Sequence, residues 1–333
     1  MADHPRVCVI FTGGTIAMLP DPRTGAAVPT LDGAAILARV PGLETIAELE
    51  AIDWGLVPAS HLRFSQLLEI GGLIRQAAER EDVQGVVVVQ GTDVLEETAF
   101  AWDLLYAGRT PVAVVGAMRN AGEEGYDGPR NLTDAVRTVV DPRLAGEGLL
   151  VVMDGAVLPA DDVTKTHSTA LDTFRALNHG PLARIEGDEL VIDRRRTSRR
   201  SLQPVPAQAA EPVVLLTAVV ATDGELLRAA VARGARGVVV EATGSGNTDP
   251  DLLAAAVEAM DAGVPVVLTT RCAAGPVGAF YGFPGGGRSW RDAGAILAGT
   301  LSGPKARIAL ALGLGAGLDR DGLGRLIGEP TGD

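Results

Sequence analysis

Short, valine-rich apolar runs punctuate the chain at residues 7–11, 85–90, 111–116, 149–153, 213–218, 237–241 and 264–269. They are near-continuous rather than alternating, so each reads as a strand buried on both faces. Between them, residues 64–80, 96–107, 130–140 and 251–262 repeat their apolar positions at the helical period. Strand, helix and strand in succession predict a largely parallel sheet covered by helices, a doubly wound α/β fold.

The pattern breaks around residues 185–212. Leu190, Val191 and Ile192 predict a brief strand, and the basic run Arg194-Arg-Arg-Thr-Ser-Arg-Arg200 leads into Gln203-Pro-Val-Pro-Ala-Gln208. The arginines read as a solvated linker face, and the proline-rich stretch marks a boundary. A larger N-terminal domain, residues 1–205, and a smaller C-terminal domain, residues 206–333, are therefore expected. Residues 18–31 carry Pro20, Pro22, Gly25 and Pro29 just after the first strand. Loops past strand carboxyl ends line the crevice of an open α/β sheet, so this segment reads either as a lid or as a static surface turn.

Polar residues and glycines follow several strands directly: Thr12-Gly-Gly-Thr15, Gly91-Thr-Asp93, Ala117-Met-Arg119 and Asp154-Gly155. The first of these lacks the lysine of a phosphate-binding loop and is not a dinucleotide fingerprint. Gly244-Ser-Gly246 fails that fingerprint too, with Asp249 in place of its third glycine. A threonine hydroxyl is almost wholly protonated and needs a base before it can attack. The 4 histidines suggest no Ser-His-Asp set. Lys165, in Asp162-Val-Thr-Lys-Thr-His167, sits between small polar residues. A desolvated lysine can accept a proton, whereas an exposed one is an ordinary surface charge.

Charge narrows the partners. With Asp+Glu 42 against Lys+Arg 29, the 333-residue chain carries a formal net charge of -13. Such a surface repels phosphate backbones and anionic headgroups, so neither a nucleic acid nor a membrane is expected. No apolar span approaches the ~20 residues of a membrane helix, and the first apolar run is too short for a secretory signal, which points to the cytoplasm. Cys8 and Cys272 form no disulfide framework, and no metal or organic cofactor is called for.

The strand-end residues belong to two longer segments, Phe11-Thr-Gly-Gly-Thr-Ile-Ala17 and Gln90-Gly-Thr-Asp-Val-Leu-Glu-Glu-Thr-Ala99. Further along come Gly116-Ala-Met-Arg119, Asp127-Gly-Pro-Arg-Asn131, Val163-Thr-Lys-Thr166, Gly244-Ser-Gly-Asn247 and Leu301-Ser-Gly-Pro-Lys-Ala-Arg307. In this order they resemble the bacterial-type L-asparaginase family over nearly the whole chain. A lone T-G-G-T would be weak; the ordered set is specific. The resemblance implies an asparaginase-like pair of α/β domains of flavodoxin-like topology and hydrolysis of L-asparagine to L-aspartate and ammonia. It implies Thr15 as the nucleophile that forms an acyl-enzyme. Thr92, Asp93 and Lys165 become the cluster that moves protons, Asp93 also gripping the substrate amine. Gly14 and Gly91 are implied beside the substrate, where backbone N–H groups can stabilise an oxyanion. Asn247 is implied to reach a neighbouring subunit's site, so a homo-oligomer, a dimer or a dimer of dimers, is expected to act on a small-molecule amide.

The sequence also departs from the family. Residues 18–31 hold no tyrosine where many members use one to activate the nucleophile, which leaves Tyr126 or Tyr281 as substitutes. Ala59 stands where the family places a serine that holds the substrate carboxylate, with Ser60 adjacent. Val94 replaces a second threonine, and Tyr281 lies near the place of a glutamate used on the substrate amine. These changes touch substrate holding and spare Thr15, Thr92, Asp93 and Lys165. L-Glutamine, D-asparagine or a modified amide are alternative substrates. A protein that frees ammonia for a tRNA-dependent amidotransferase is a rival, disfavoured because that family carries a further domain before its threonine motif. A non-catalytic amino-acid-binding protein on the same scaffold is the rival from another class.

Overall fold

All the apolar runs form strands, and the four helical stretches form helices. The computed structural model describes residues 4–328, and the chain divides between Arg199 and Arg200 into two compact units. The first unit opens with β1 (Arg6–Phe11), the short strands β2 (Met18–Pro20) and β3 (Ala27–Pro29), α1 (Gly33–Leu37) and β4 (Glu48–Asp53). There follow α2 (Phe64–Ala78), β5 (Gly85–Val89), α3 (Leu95–Leu105), β6 (Val112–Val115), α4 (Gly128–Val140) and β7 (Leu149–Met153). It closes with β8 (Ala156–Pro159), β9 (Val163–Lys165), β10 (Phe174–Ala176), β11 (Ala183–Glu186) and β12 (Glu189–Ile192).

Its main sheet runs β12-β11-β8-β7-β6-β5-β1-β4. Strands β4, β1, β5, β6 and β7 are parallel, whereas β8, β11 and β12 pair antiparallel. The parallel part has the flavodoxin-like order, in which the chain places β4 on one side of β1 and then crosses to place β5 on the other. That reversal opens a crevice at the carboxyl ends of β1 and β5. The packing explains the sequence pattern: every residue of β5 is buried, with α2 and α4 against it. Strand β4, Glu-Leu-Glu-Ala-Ile-Asp, is half-exposed at the sheet edge. Its polar positions hide it from a search for apolar runs.

Residues 18–31 hold a hydrogen-bonded hairpin, β2 pairing antiparallel with β3. The Thr30 and Leu31 N–H groups donate to the Ala17 carbonyl at 2.8 and 2.9 Å, and Ala121 N–H donates to the Met18 carbonyl at 3.1 Å. The arginine run is not the solvated face expected of it. The Arg196 side chain is 4% exposed and pairs with Asp103 at 2.9 Å and Asp161 at 2.8 Å. Arg199 donates to the Tyr106 carbonyl at 2.7 Å, and Arg195 pairs with Glu147 at 3.1 Å. A guanidinium's fork of donors lets one side chain satisfy carboxylates and carbonyls together. The run thus fastens the end of the first unit onto its own body.

The second unit comprises β13 (Val213–Thr217), α5 (Glu225–Ala232), β14 (Gly237–Ala242), α6 (Pro250–Asp261), β15 (Val266–Thr270), α7 (Gly287–Ala293), β16 (Ile296–Leu297), α8 (Gly303–Gly315) and α9 (Arg320–Ile327). Its four strands are parallel in sequential order, around a core that includes Val240, Leu268 and Trp290. Among the described residues, no helix is long and apolar enough to cross a membrane.

Candidate active site

Three turns follow the carboxyl ends of β4, β1 and β5, which are adjacent in the sheet. After β1, Thr12 is held to the next strand: its N–H and hydroxyl both donate to the Val89 carbonyl, at 2.9 and 3.0 Å. Gly13 and Gly14 then take φ of 105° and 93°, values that side chains rarely adopt. A Cβ on Gly14 would lie 2.1 Å from Gly91 N and 2.2 Å from Gly91 Cα. The two backbones therefore touch, and the residues that follow them, Thr15 and Thr92, are delivered to one region. Thr15 begins a single 3-10 turn, Thr15–Ala17, and is half-buried.

Ala59 completes this corner. It begins a 3-10 turn after β4 and is buried, and a Cβ on Gly91 would meet the Ala59 methyl at 3.0 Å. Position 59 thus presents a methyl beside Gly14 and Gly91, while Ser60 is exposed. On the other flank, a Cβ on Gly116 would meet the Gln90 carbonyl at 2.6 Å and Thr92 Cγ2 at 3.0 Å. Asn131 donates to the Gly116 carbonyl at 3.1 Å and to Asp127 at 2.9 Å. Asp127 accepts the Met118 and Arg119 N–H groups. These residues organise the loop after β6.

Lys165 reaches the site from β9. Its Nζ donates to Thr92 Oγ1 at 2.9 Å and lies 3.9 Å from Asp93 Oδ1. Thr92 is buried, and the Asp93 side chain is 65% exposed and open to solvent. Burial pushes the Lys165 ammonium below the ordinary lysine range, against the opposing pull of Asp93 and Glu96. A partly desolvated lysine bonded to a buried hydroxyl can pass a proton in either direction. The Lys165 N–H is itself accepted by Glu96 at 2.5 Å, a contact that the sequence does not announce, although Glu96 lies inside the second threonine segment.

Tyr126 approaches the nucleophile turn differently from a base. Its hydroxyl donates to the Ile16 carbonyl at 2.8 Å, and burial, followed by Asp127, pushes its pKa up to about 12. Its hydroxyl is thus bonded to the backbone of the nucleophile turn rather than to the Thr15 side chain. Asn247 and Tyr281 belong to the second unit. Asn247 closes a turn with Thr243, each N–H donating to the other's carbonyl at 2.9 Å, and its Oδ1 is buried with no hydrogen-bond partner among the described residues. Tyr281 is 48% exposed between Phe280 and Phe283, which are also exposed.

Residues 6–198 match the asparaginase N-terminal domain family, and residues 212–327 match the glutaminase/asparaginase C-terminal domain family. A probable L-asparaginase of Deinococcus radiodurans is 38% identical over 330 residues, covering 98% of each chain. The L-asparaginase of Bacillus licheniformis is 32% identical over 312 residues, covering 93% of this chain and 95% of its own. A glutamyl-tRNA(Gln) amidotransferase component of Pyrococcus furiosus is 31% identical over 284 residues, 82% of this chain but 64% of its own. On both domains and over almost its full length, the chain belongs to the asparaginase family.

Proposed function

We propose that this chain hydrolyses the side-chain amide of L-asparagine to L-aspartate and ammonia, with Thr15 as the nucleophile. Its family and its relatives make it a hydrolase of amide C–N bonds. The observation that carries the finer reading is the 2.9 Å bond from Lys165 Nζ to the buried Thr92 hydroxyl, beside the Gly14–Gly91 contact that delivers Thr15.

In this mechanism Thr15 Oγ bonds to the amide carbon, and backbone N–H groups of the Gly14 and Gly91 turns face the developing oxyanion. The C–N bond breaks as the nitrogen receives the proton that the Thr15 hydroxyl gave up, and ammonia leaves. Water then attacks the acyl carbon and gives a proton to the Thr92–Lys165 pair, the C–Oγ bond breaks, and the pair returns that proton to Thr15 Oγ. Asp93, exposed beside Lys165, holds the substrate ammonium.

Asn247 serves a neighbouring subunit's site in this reading, and the exposed Phe280, Tyr281 and Phe283 lie in the interface. The catalytic domain is residues 1–205, and residues 206–333 form the domain that contributes to the oligomer. The free, exposed thiol of Cys272 suits a reducing cytoplasm.

A second reading keeps the mechanism and changes the substrate. The Ala59 methyl beside Gly14 and Gly91 offers no hydrogen bond, which favours an amide without a free α-carboxylate. Ammonia release from L-Asn, D-Asn, L-Gln and β-alaninamide, which is asparagine without its α-carboxylate, separates the two. Preference for L-Asn supports the first reading, turnover of β-alaninamide but not L-Asn supports the second, and no ammonia from any of them removes both.

A further inference from the structure

We propose that Glu96 is the positioning residue of the Thr92–Lys165 pair, holding the lysine backbone so that its side chain meets the threonine hydroxyl. This rests on the proton-moving role given to that pair above. The reason lies in how weakly the fold otherwise fixes Lys165. Lys165 ends β9, whose partner is β10 in a two-stranded sheet separate from the eight-stranded one. A two-stranded ribbon is marginal by itself in water. Its ladder sets Lys165 opposite Phe174 but does not set its distance from the turn after β5.

Glu96 supplies that link. Thr92 and Asp93 lie in the turn entering α3, and Glu96 is the second residue of the helix. Its carboxylate accepts the Lys165 backbone N–H at 2.5 Å, while Thr92 accepts from Nζ at 2.9 Å. Lys165 is thus held at both ends by one short stretch of chain. A charged acceptor makes the backbone clamp stronger than a neutral one, and it satisfies an N–H that the small ribbon would otherwise leave to solvent.

The same carboxylate acts on the lysine's charge. Burial lowers the Lys165 pKa, and Asp93 and Glu96 are the charged groups that oppose it. From β10 the facing residue is apolar Phe174, and Arg175 and Asp172 of that hairpin pair with each other. Removing the charge of Glu96 while keeping its oxygen therefore favours the neutral lysine and leaves the clamp in place.

The test compares Glu96→Gln and Glu96→Ala with the full-length wild type and Lys165→Met. It measures kcat and KM for ammonia release against pH, with thermal melting as a check on folding. Glu96→Ala, which loses the clamp, should lower kcat about ten- to a hundredfold, in line with the effect of a small misplacement of a catalytic group, and should leave KM nearly unchanged. Glu96→Gln should recover most of kcat and move the midpoint of the kcat profile to lower pH. Wild-type kcat in Glu96→Ala would overturn the inference while leaving the Lys165 reading intact. So would a Gln variant as slow as Ala with an unmoved midpoint. Full activity in Lys165→Met would overturn both. If the alanine variant fails to fold, the glutamine variant's rate and midpoint decide the matter alone.

Discussion

Substituting Gly14 by alanine tests the contact on which the site is built. The added Cβ would stand 2.1 Å from Gly91 N and 2.2 Å from Gly91 Cα. Both are backbone atoms, so no side chain can swing away to make room. Contact near 3.4 Å requires the two turns to separate by about 1.3 Å (3.4 − 2.1) if they move along that line. Gly14 also holds φ 93° and ψ -176°, a region nearly exclusive to glycine, which adds about 1–3 kcal/mol of strain. Displacing Thr15 from Thr92 by about 1 Å costs on the order of a hundredfold in rate. Gly14→Ala should therefore lose about a hundredfold or more in kcat/KM for ammonia release. Its melting temperature should fall by the few degrees that such strain implies for a chain of this size. Wild-type turnover and wild-type melting together would show that the Gly14–Gly91 contact does not set the geometry of the site.

Three further outcomes follow from the same structure. Because burial lowers the Lys165 pKa and the neutral amine is the proton acceptor, kcat should rise with pH through a midpoint below that of an exposed lysine. Lys165→Met should lower the rate by about 10²–10⁴ and remove that limb, so a limb unchanged in this variant would contradict the assignment. Tyr126→Phe should keep kcat and KM within a few-fold while costing about 1 kcal/mol in chemical denaturation for its bond to the Ile16 carbonyl; a collapse of kcat would restore the tyrosine as a catalyst. Arg196→Ala leaves the buried Asp103 carboxylate with Arg199 as its remaining cation and should destabilise by about 1.5–3 kcal/mol, read by denaturant titration. A loss below about 1 kcal/mol would return the arginine run to the solvated role that its sequence suggests.

The sequence made the central strands legible because their apolar runs are buried on both faces, as β5 shows. It made the threonine turns legible because glycines at strand ends have few other uses. Strand β4 escaped because an edge strand carries Glu48, Glu50 and Asp53 and resembles a loop. The arginines of 194–200 were misread because composition reports charge and not its partners. Asp103 and Glu147 lie far back in the chain, and only the fold brings them to Arg196 and Arg195. The clamp between Glu96 and Lys165 spans 69 positions and uses a backbone N–H, a donor that no residue type signals. Tyr126 illustrates the converse: a tyrosine count offers it as an activator, and only the fold shows its hydroxyl bonded to the Ile16 carbonyl.

The central claim is that Thr15 carries the chemistry, and the most direct measurement is ammonia release from L-asparagine by the wild type and by Thr15→Ala at equal concentrations of folded protein. The account predicts steady turnover by the wild type and a loss of at least about 10³-fold in the variant, the scale on which covalent nucleophiles are missed. Turnover by Thr15→Ala at the wild-type rate would contradict it.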